Sequence, residues 1–246
     1  MSEATATTEV TTYDDSLLCV RSLDAGYGDL QILETVDLDV ADREYVTIVG
    51  PNGAGKSTTM KSVFGLTVYM GGHIEFNDEP IHGLRPEEII HHGIGYVPQS
   101  DNVFPSLSVK ENLEMGAYVL DAVPDDAIQA VYDRFPILEE RQGQKAGTMS
   151  GGQQQMLAIA RALVGGPDLL LVDEPSEGVQ PSIVQSITED LREINEEFGT
   201  TILFVEQNLS VIQGLANRCY AIDRGTIVDE ITGSAVSDQE NLEEYL

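Results

Sequence analysis

Tyr45-Val46-Thr47-Ile48-Val49-Gly50-Pro51-Asn52-Gly53-Ala54-Gly55-Lys56-Ser57-Thr58 is the stretch on which the fold turns. Its first five residues read as a buried strand, and beyond Lys56 the apolar positions Met60, Val63 and Phe64 recur at helical spacing. Between strand and helix stands a complete G-x-x-x-x-G-K-[ST] loop. Glycines in such a loop let backbone N–H groups close around phosphate oxygens, and the helix N-terminus adds partial positive charge. The pattern predicts a nucleotide phosphate site. Lys56 would reach the β- and γ-phosphates and Ser57 would hold Mg²⁺, with Gly50, Pro51, Asn52, Gly53, Ala54, Gly55 and Thr58 completing the cradle. An ordinary glycine turn is the competing reading, but the chain has only four lysines and one of them stands at the motif position.

Upstream, the apolar residues 17–20 lead to Gly26-Tyr27-Gly28, and alternation resumes through Ile32, Val36, Leu38 and Val40, as in an antiparallel sheet. Downstream, helical patterns dominate roughly residues 84–165, at 85–92, 109–120, 126–134 and 152–164, and predict an inserted helical lobe. Residues 169–172 and 201–205 are short apolar runs separated by a helical pattern over 181–197. Strand, crossover helix and strand imply a parallel sheet. The expected fold is α/β: a P-loop NTPase core, mostly parallel with helices on both faces, plus an N-terminal antiparallel β subdomain and the inserted α-helical subdomain.

Two further segments carry chemistry. Leu169-Leu170-Leu171-Val172-Asp173-Glu174 delivers two carboxylates at the C-terminal end of a strand, where α/β sheets place ligands. Asp173 suits the Mg²⁺ shell, and Glu174 can polarise an attacking water. Ser150-Gly151-Gly152-Gln153 begins the pattern at 152–164, which projects a hydroxyl and successive N–H groups at a helix N-terminus. Taken alone, Ser150 is an ordinary cap.

Composition narrows the classes. With 246 residues, 41% of them hydrophobic, the chain suffices for one domain with sub-lobes. Thirteen basic against 42 acidic residues give a formal charge of -29, which repels phosphate backbones and excludes non-specific nucleic-acid binding. Such acidity reads as surface solvation suited to high salt. Cys19 and Cys219 lack a CxxC spacing and are expected as free thiols in a reducing cytoplasm. Residues 1–16 read as a disordered polar tail, not a signal peptide, and no apolar run reaches the ~18 residues of a membrane span. Any membrane role must come through a partner. His73, His82, His91 and His92 show no ligand spacing, and Met156, Leu157, Ala160, Leu163 and Val164 form a core stripe.

The order of these elements, P-loop, then Met149-Ser150-Gly151-Gly152-Gln153, then an apolar strand ending in Asp173-Glu174, resembles the ABC ATPases from residue 17 onward. The resemblance implies ATP sites between two nucleotide domains, with Ser150, Gly152 and Gln153, and Gly151 in the same turn, meeting the γ-phosphate bound by another subunit. It also implies that Tyr27 stacks on adenine and that Gln99 touches Mg²⁺ and senses a membrane partner. Two departures stand out. Gln207 replaces the usual switch histidine, which leaves a hydrogen-bond donor without charge. Ser176-Glu177-Gly178-Val179 lacks an aspartate that many members carry.

The segment 146–163 and Val205-Glu206-Gln207-Asn208 resemble the smaller ATPase of branched-chain amino acid importers, a branch whose relatives also serve urea and short amides. That resemblance implies transmembrane permease subunits, docking near Gln99 and residues 101–118, including Phe104-Pro105-Ser106-Leu107. A second ATPase, identical or different, and an extracellular substrate-binding protein acting indirectly would complete the assembly at the inner face of the cell membrane. A non-transport ABC ATPase, such as an iron–sulfur assembly factor, is the alternative.

Overall fold

The computed structural model describes residues 16–100, 102–120 and 126–246. Of the polar tail read over 1–16, only Ser16 falls within them, and it opens a strand instead of closing a tail.

The chain begins with β1 (Ser16–Tyr27) and β2 (Leu30–Ala41), an antiparallel pair in which Val20 faces Leu38 and Leu23 faces Val36. It then crosses to β3 (Tyr45–Val49) and α1 (Lys56–Val63) before adding β4 (Val68–Phe76) beside β1 and the two-residue β5 (Glu79–Pro80) beside β4. The resulting four-stranded sheet has the order β2-β1-β4-β5 and is antiparallel; its β1–β2 half matches the alternation upstream of the P-loop, and its other half comes from residues downstream of α1, which the sequence reading leaves unassigned.

Next come α2 (Pro86–His91) and β6 (Ile94–Val97), then the helices of the lobe: α3 (Val109–Gly116), α4 (Ala127–Arg134), α5 (Pro136–Glu140) and α6 (Gly151–Leu163). The chain returns through β7 (Leu169–Asp173), α7 (Pro181–Phe198), β8 (Thr201–Val205), α8 (Leu209–Leu215), β9 (Arg218–Asp223), β10 (Thr226–Thr232) and α9 (Gln239–Glu243). The second sheet is ordered β10-β9-β3-β8-β7-β6 and is parallel except for the β9–β10 hairpin.

Period-two alternation puts the two faces of β7 and β8 in different cores. Leu169, Leu171, Leu203 and Val205 join Val20, Leu38, Met60, Ile74 and Phe76 between the two sheets. Leu170, Val172, Ile202 and Phe204 join Leu113, Leu138, Leu157 and Leu191 beneath the lobe and α7. Every residue of β7 and β8 is buried, as expected for a parallel sheet covered on both sides. Each leucine so placed contributes roughly 1.5–3 kcal/mol relative to exposure.

The stretch 84–165 departs from a purely helical reading in one respect that matters for the site. Ile94-Gly95-Tyr96-Val97 is a strand of the parallel sheet, paired residue by residue with β7. Four residues interrupted by a glycine give no alternation to read. The helix read over 109–120 stops at Gly116, where a Cβ would lie 2.2 Å from the Arg161 carbonyl oxygen, so the glycine permits α3 and α6 to approach closely. Both cysteines are free thiols, and burial pushes that of Cys219 up to about 12. Among the described residues no helix is long and apolar enough to cross a membrane.

Candidate nucleotide site

The loop between β3 and α1 turns through three glycines in positive φ: Gly50 at 154°, Gly53 at 83° and Gly55 at 115°. A Cβ at Gly50 would sit 2.2 Å from the Ile222 carbonyl oxygen, so only glycine fits there. Lys56, the first residue of α1, is 4% exposed and donates from Nζ to the carbonyls of Gly50 at 2.7 Å and Pro51 at 3.2 Å. The ammonium therefore lies folded across the mouth of its own loop. Burial lowers its pKa, and the nearby Glu174 and Asp173 carboxylates oppose that shift.

Ser57 and Asp173 are 116 residues apart in sequence and meet because the crossovers bring the carboxyl ends of the strands to one edge. The Ser57 hydroxyl donates to Asp173 Oδ1 at 2.9 Å, and Tyr96 from β6 donates to Oδ2 at 3.3 Å. Asp173 is fully buried, and that burial raises its pKa against these hydrogen bonds. A hydroxyl and a carboxylate side by side are hard oxygen donors, the chemistry that suits Mg²⁺.

Glu174 follows at φ 44°, a left-handed conformation that costs a non-glycine residue about 1–3 kcal/mol. Its N–H donates to the Val205 carbonyl at 3.0 Å, which fixes the turn. Each carboxylate oxygen meets an amide: Gln207 Nε2 reaches Oε1 at 2.9 Å and Gln99 Nε2 reaches Oε2 at 2.9 Å. The same two nitrogens extend to Asn52 Oδ1 at 2.8 Å and Glu177 Oε2 at 2.6 Å. Gln99, Glu174 and Gln207, drawn from three separate loops, thus form one hydrogen-bonded set beside the P-loop.

These groups line a cavity of about 840 Å³, a size within the range of small-molecule sites, together with Asn52, Gly53, Gly55, Lys56, Ser57 and Thr58. Of the residues read from the sequence, Gly50, Pro51, Ala54 and Asp173 adjoin that lining through the same loop and the Ser57 contact, while Tyr27 and the turn over residues 150–153 lie apart from it. Tyr27, 45% exposed, closes β1. Ser150, Gly151, Gly152 and Gln153 start α6, where the Ser150 hydroxyl accepts from the Gln153 N–H at 3.4 Å and Gln153 Oε1 accepts from the Ser150 N–H at 3.2 Å. This is a capping box satisfied within its own turn. Gly152 has a packing reason as well, since a Cβ would meet Ile183 Cγ2 at 2.7 Å.

Sequence reasoning missed Tyr96, hidden in the short β6, and Glu206, a buried carboxylate bordering the cavity. The signal for Glu206 was available: it stands immediately after an apolar strand, as Glu174 does.

With this geometry in place, comparison with known proteins gives the class. The family model described as ABC transporter matches residues 33–177. BraG of Pseudomonas aeruginosa, a high-affinity branched-chain amino acid transport ATP-binding protein, is 44% identical over 85% of this chain and 90% of its own length. LivF of Archaeoglobus fulgidus, a probable protein of the same kind, is 39% identical over 92% of this chain and 97% of its own. Among solved structures, the MJ1267 ATP-binding cassette superposes with a TM-score of 0.81 at 26% identity, covering 94% of this chain and 99% of that one. The chain belongs to the ABC transporter family and is an ATP-binding cassette of that ATP-hydrolysing family.

Proposed function

We propose that this chain powers an importer of branched-chain amino acids by hydrolysing ATP at the cavity below α1. The observation that carries the reading is the convergence on one cavity of Lys56, an amide-flanked Glu174 and Ser57, itself bonded to the buried Asp173. The names and near-complete coverage of the BraG and LivF relatives support the transported class.

In this reading the loop 50–58 binds the phosphates through backbone N–H groups, and Lys56 turns from its carbonyl contacts to the β- and γ-phosphates. Ser57 and Asp173, with Gln99, would hold Mg²⁺, which when bound would offset phosphate charge. Glu174 takes a proton from the attacking water, and Gln207 donates to the γ-phosphate. Tyr27 stacks on adenine. Ser150, Gly151, Gly152 and Gln153 meet the γ-phosphate held by a second ATPase subunit, so closure of the pair couples hydrolysis to permease movement.

Residues 17–246 work as one cassette, with the helical lobe presenting its surface near Gln99 and residues 101–118 to transmembrane permease subunits. The cassette then sits at the inner face of the cell membrane, an extracellular binding protein contacts it only indirectly, and nucleic acid plays no part. The -29 formal charge supports operation at high salt.

The test is uptake of radiolabelled leucine, isoleucine and valine by cells whose only copy carries Glu174→Gln. Loss of uptake with intact membrane assembly supports the proposal. Unchanged uptake, or loss confined to another solute such as urea, refutes the assigned substrate.

A further inference from the structure

We infer that Glu206 is a positioning residue for hydrolysis, a buried carboxylate that ties the loop after Glu174 to the loop carrying Gln207. The inference rests on the proposed roles of Glu174 and Gln207.

Glu206 is 2% exposed and borders the nucleotide cavity. Its Oε1 accepts from the Ser176 N–H at 3.0 Å, while Oε2 accepts from the N–H groups of Gln207 and Asn208, each at 2.8 Å. Charge-assisted bonds of this kind are shorter and stronger than those between neutral groups. Their targets are what give them meaning. Ser176 lies two residues beyond Glu174, and Gln207 is the residue whose side chain holds Glu174 Oε1.

Register explains how one side chain reaches both loops. Asp173 of β7 pairs with Val205 of β8, so Glu174 and Glu206 leave adjacent strands side by side. Glu174 turns toward the cavity at φ 44°, while the Glu206 carboxylate stays beneath and satisfies the N–H groups that both departing loops would otherwise leave unpaired. Glutamate suits the place because an ionised carboxylate only accepts, with two oxygens and room for three donors. A glutamine there would set an NH₂ against backbone N–H groups whichever way its amide turned.

The residue reaches the reacting region through others. No described hydrogen bond joins it to the loop 50–58, so its loss should spare phosphate binding and impair the geometry of Glu174 and Gln207. Misplacing such groups by about 1 Å costs up to a hundredfold in rate.

The test uses the full chain in its purified transporter assembly and follows Mg·ATP affinity and turnover separately. Glu206→Gln should lower kcat by about ten- to a hundredfold, with the Kd for Mg·ATP held within about threefold, since Lys56 and its loop meet Glu206 only indirectly, through the Gln207–Asn52 bond. In a Gln207→Ala background the same substitution should cost no more than about threefold, because residues acting as one unit are non-additive. A kcat within about twofold of the unsubstituted protein, an equal loss in both backgrounds, or a parallel fall in affinity and turnover would each overturn the positioning role.

Hydrogen exchange on the unsubstituted chain gives a check that needs no variant. The amides of Ser176, Gln207 and Asn208 should exchange together and slowly, and exchange of all three at open-loop rates contradicts the inference. Failure of the underlying reading has a different signature. If Glu174→Gln hydrolyses ATP at the full rate, the assignment of the site falls; if Glu174→Gln is inactive and Glu206→Gln fully active, only the role of Glu206 falls.

Discussion

At the carboxyl ends of β3, β7 and β8, residues as distant in sequence as Asn52, Ser57, Glu174 and Gln207 meet around one cavity, with Asp173 buried behind Ser57, whereas at the start of α6 the turn Ser150 to Gln153 is held by its own capping box. In the first region topology does the assembling: parallel strands and right-handed crossovers bring successive loops to the same edge. In the second, a local capping box pairs the N–H groups of Ser150 and Gln153 within the turn. Cutting one bond should therefore have distant consequences at the sheet edge and local ones at the lobe.

Substitutions separate the two regions. The largest effect is expected for Glu174→Gln, which should cut steady-state phosphate release by roughly a hundred- to ten-thousandfold with Mg·ATP affinity nearly unchanged. Gln207→Ala should come next, at about tenfold or more in kcat, since it removes a preorganised donor and frees one oxygen of Glu174. Hydrolysis insensitive to both substitutions would dissolve the sheet-edge set as a functional unit. For the lobe, Ser150→Ala should cost about 1 kcal/mol in chemical denaturation, the usual worth of an N-cap.

The smallest effect concerns the joint between the regions. Arg134 of α4 donates to Asp190 of α7 at 3.0 Å, and burial pushes the Asp190 carboxyl up to about 6 from 3.8 despite that arginine. A carboxyl whose pKa is higher in the folded state binds its proton more tightly there, so its stabilising contribution is full below pH 3.8 and is lost as pH rises through about 6. Urea denaturation of Asp190→Asn should show the variant gaining on the unsubstituted chain between pH 5 and pH 7. A difference constant across that window would remove the joint from the account.

The same contrast explains what the sequence disclosed. The P-loop, the strand ending in Asp173 and the strand 201–205 were legible because each is a contiguous pattern with a stated mechanism. Gln99 and Gln207 were legible only through family resemblance, since a polar loop residue carries no periodic signal, and their meeting on Glu174 depends on strand order. Ile94–Val97 escaped because four residues with one glycine cannot show a period, and Tyr96 escaped with it. Glu206 sat in plain view after an apolar strand, but its role depends on the register that places it beside Glu174. The hairpin of β9 and β10 went unread as well: Arg218, which anchors it through Glu44 and Glu230, looks in sequence like an interruption.

On the proposed function, triphosphate binding within one chain belongs to the sheet edge and not to the α6 turn. Calorimetric titration of the isolated chain with Mg·ATP decides this, comparing the unsubstituted protein, Lys56→Ala and Ser150→Ala. Affinity should fall about tenfold or more in Lys56→Ala, as befits loss of a charge-assisted phosphate contact, and stay unchanged in Ser150→Ala. Equal losses in the two variants would contradict it.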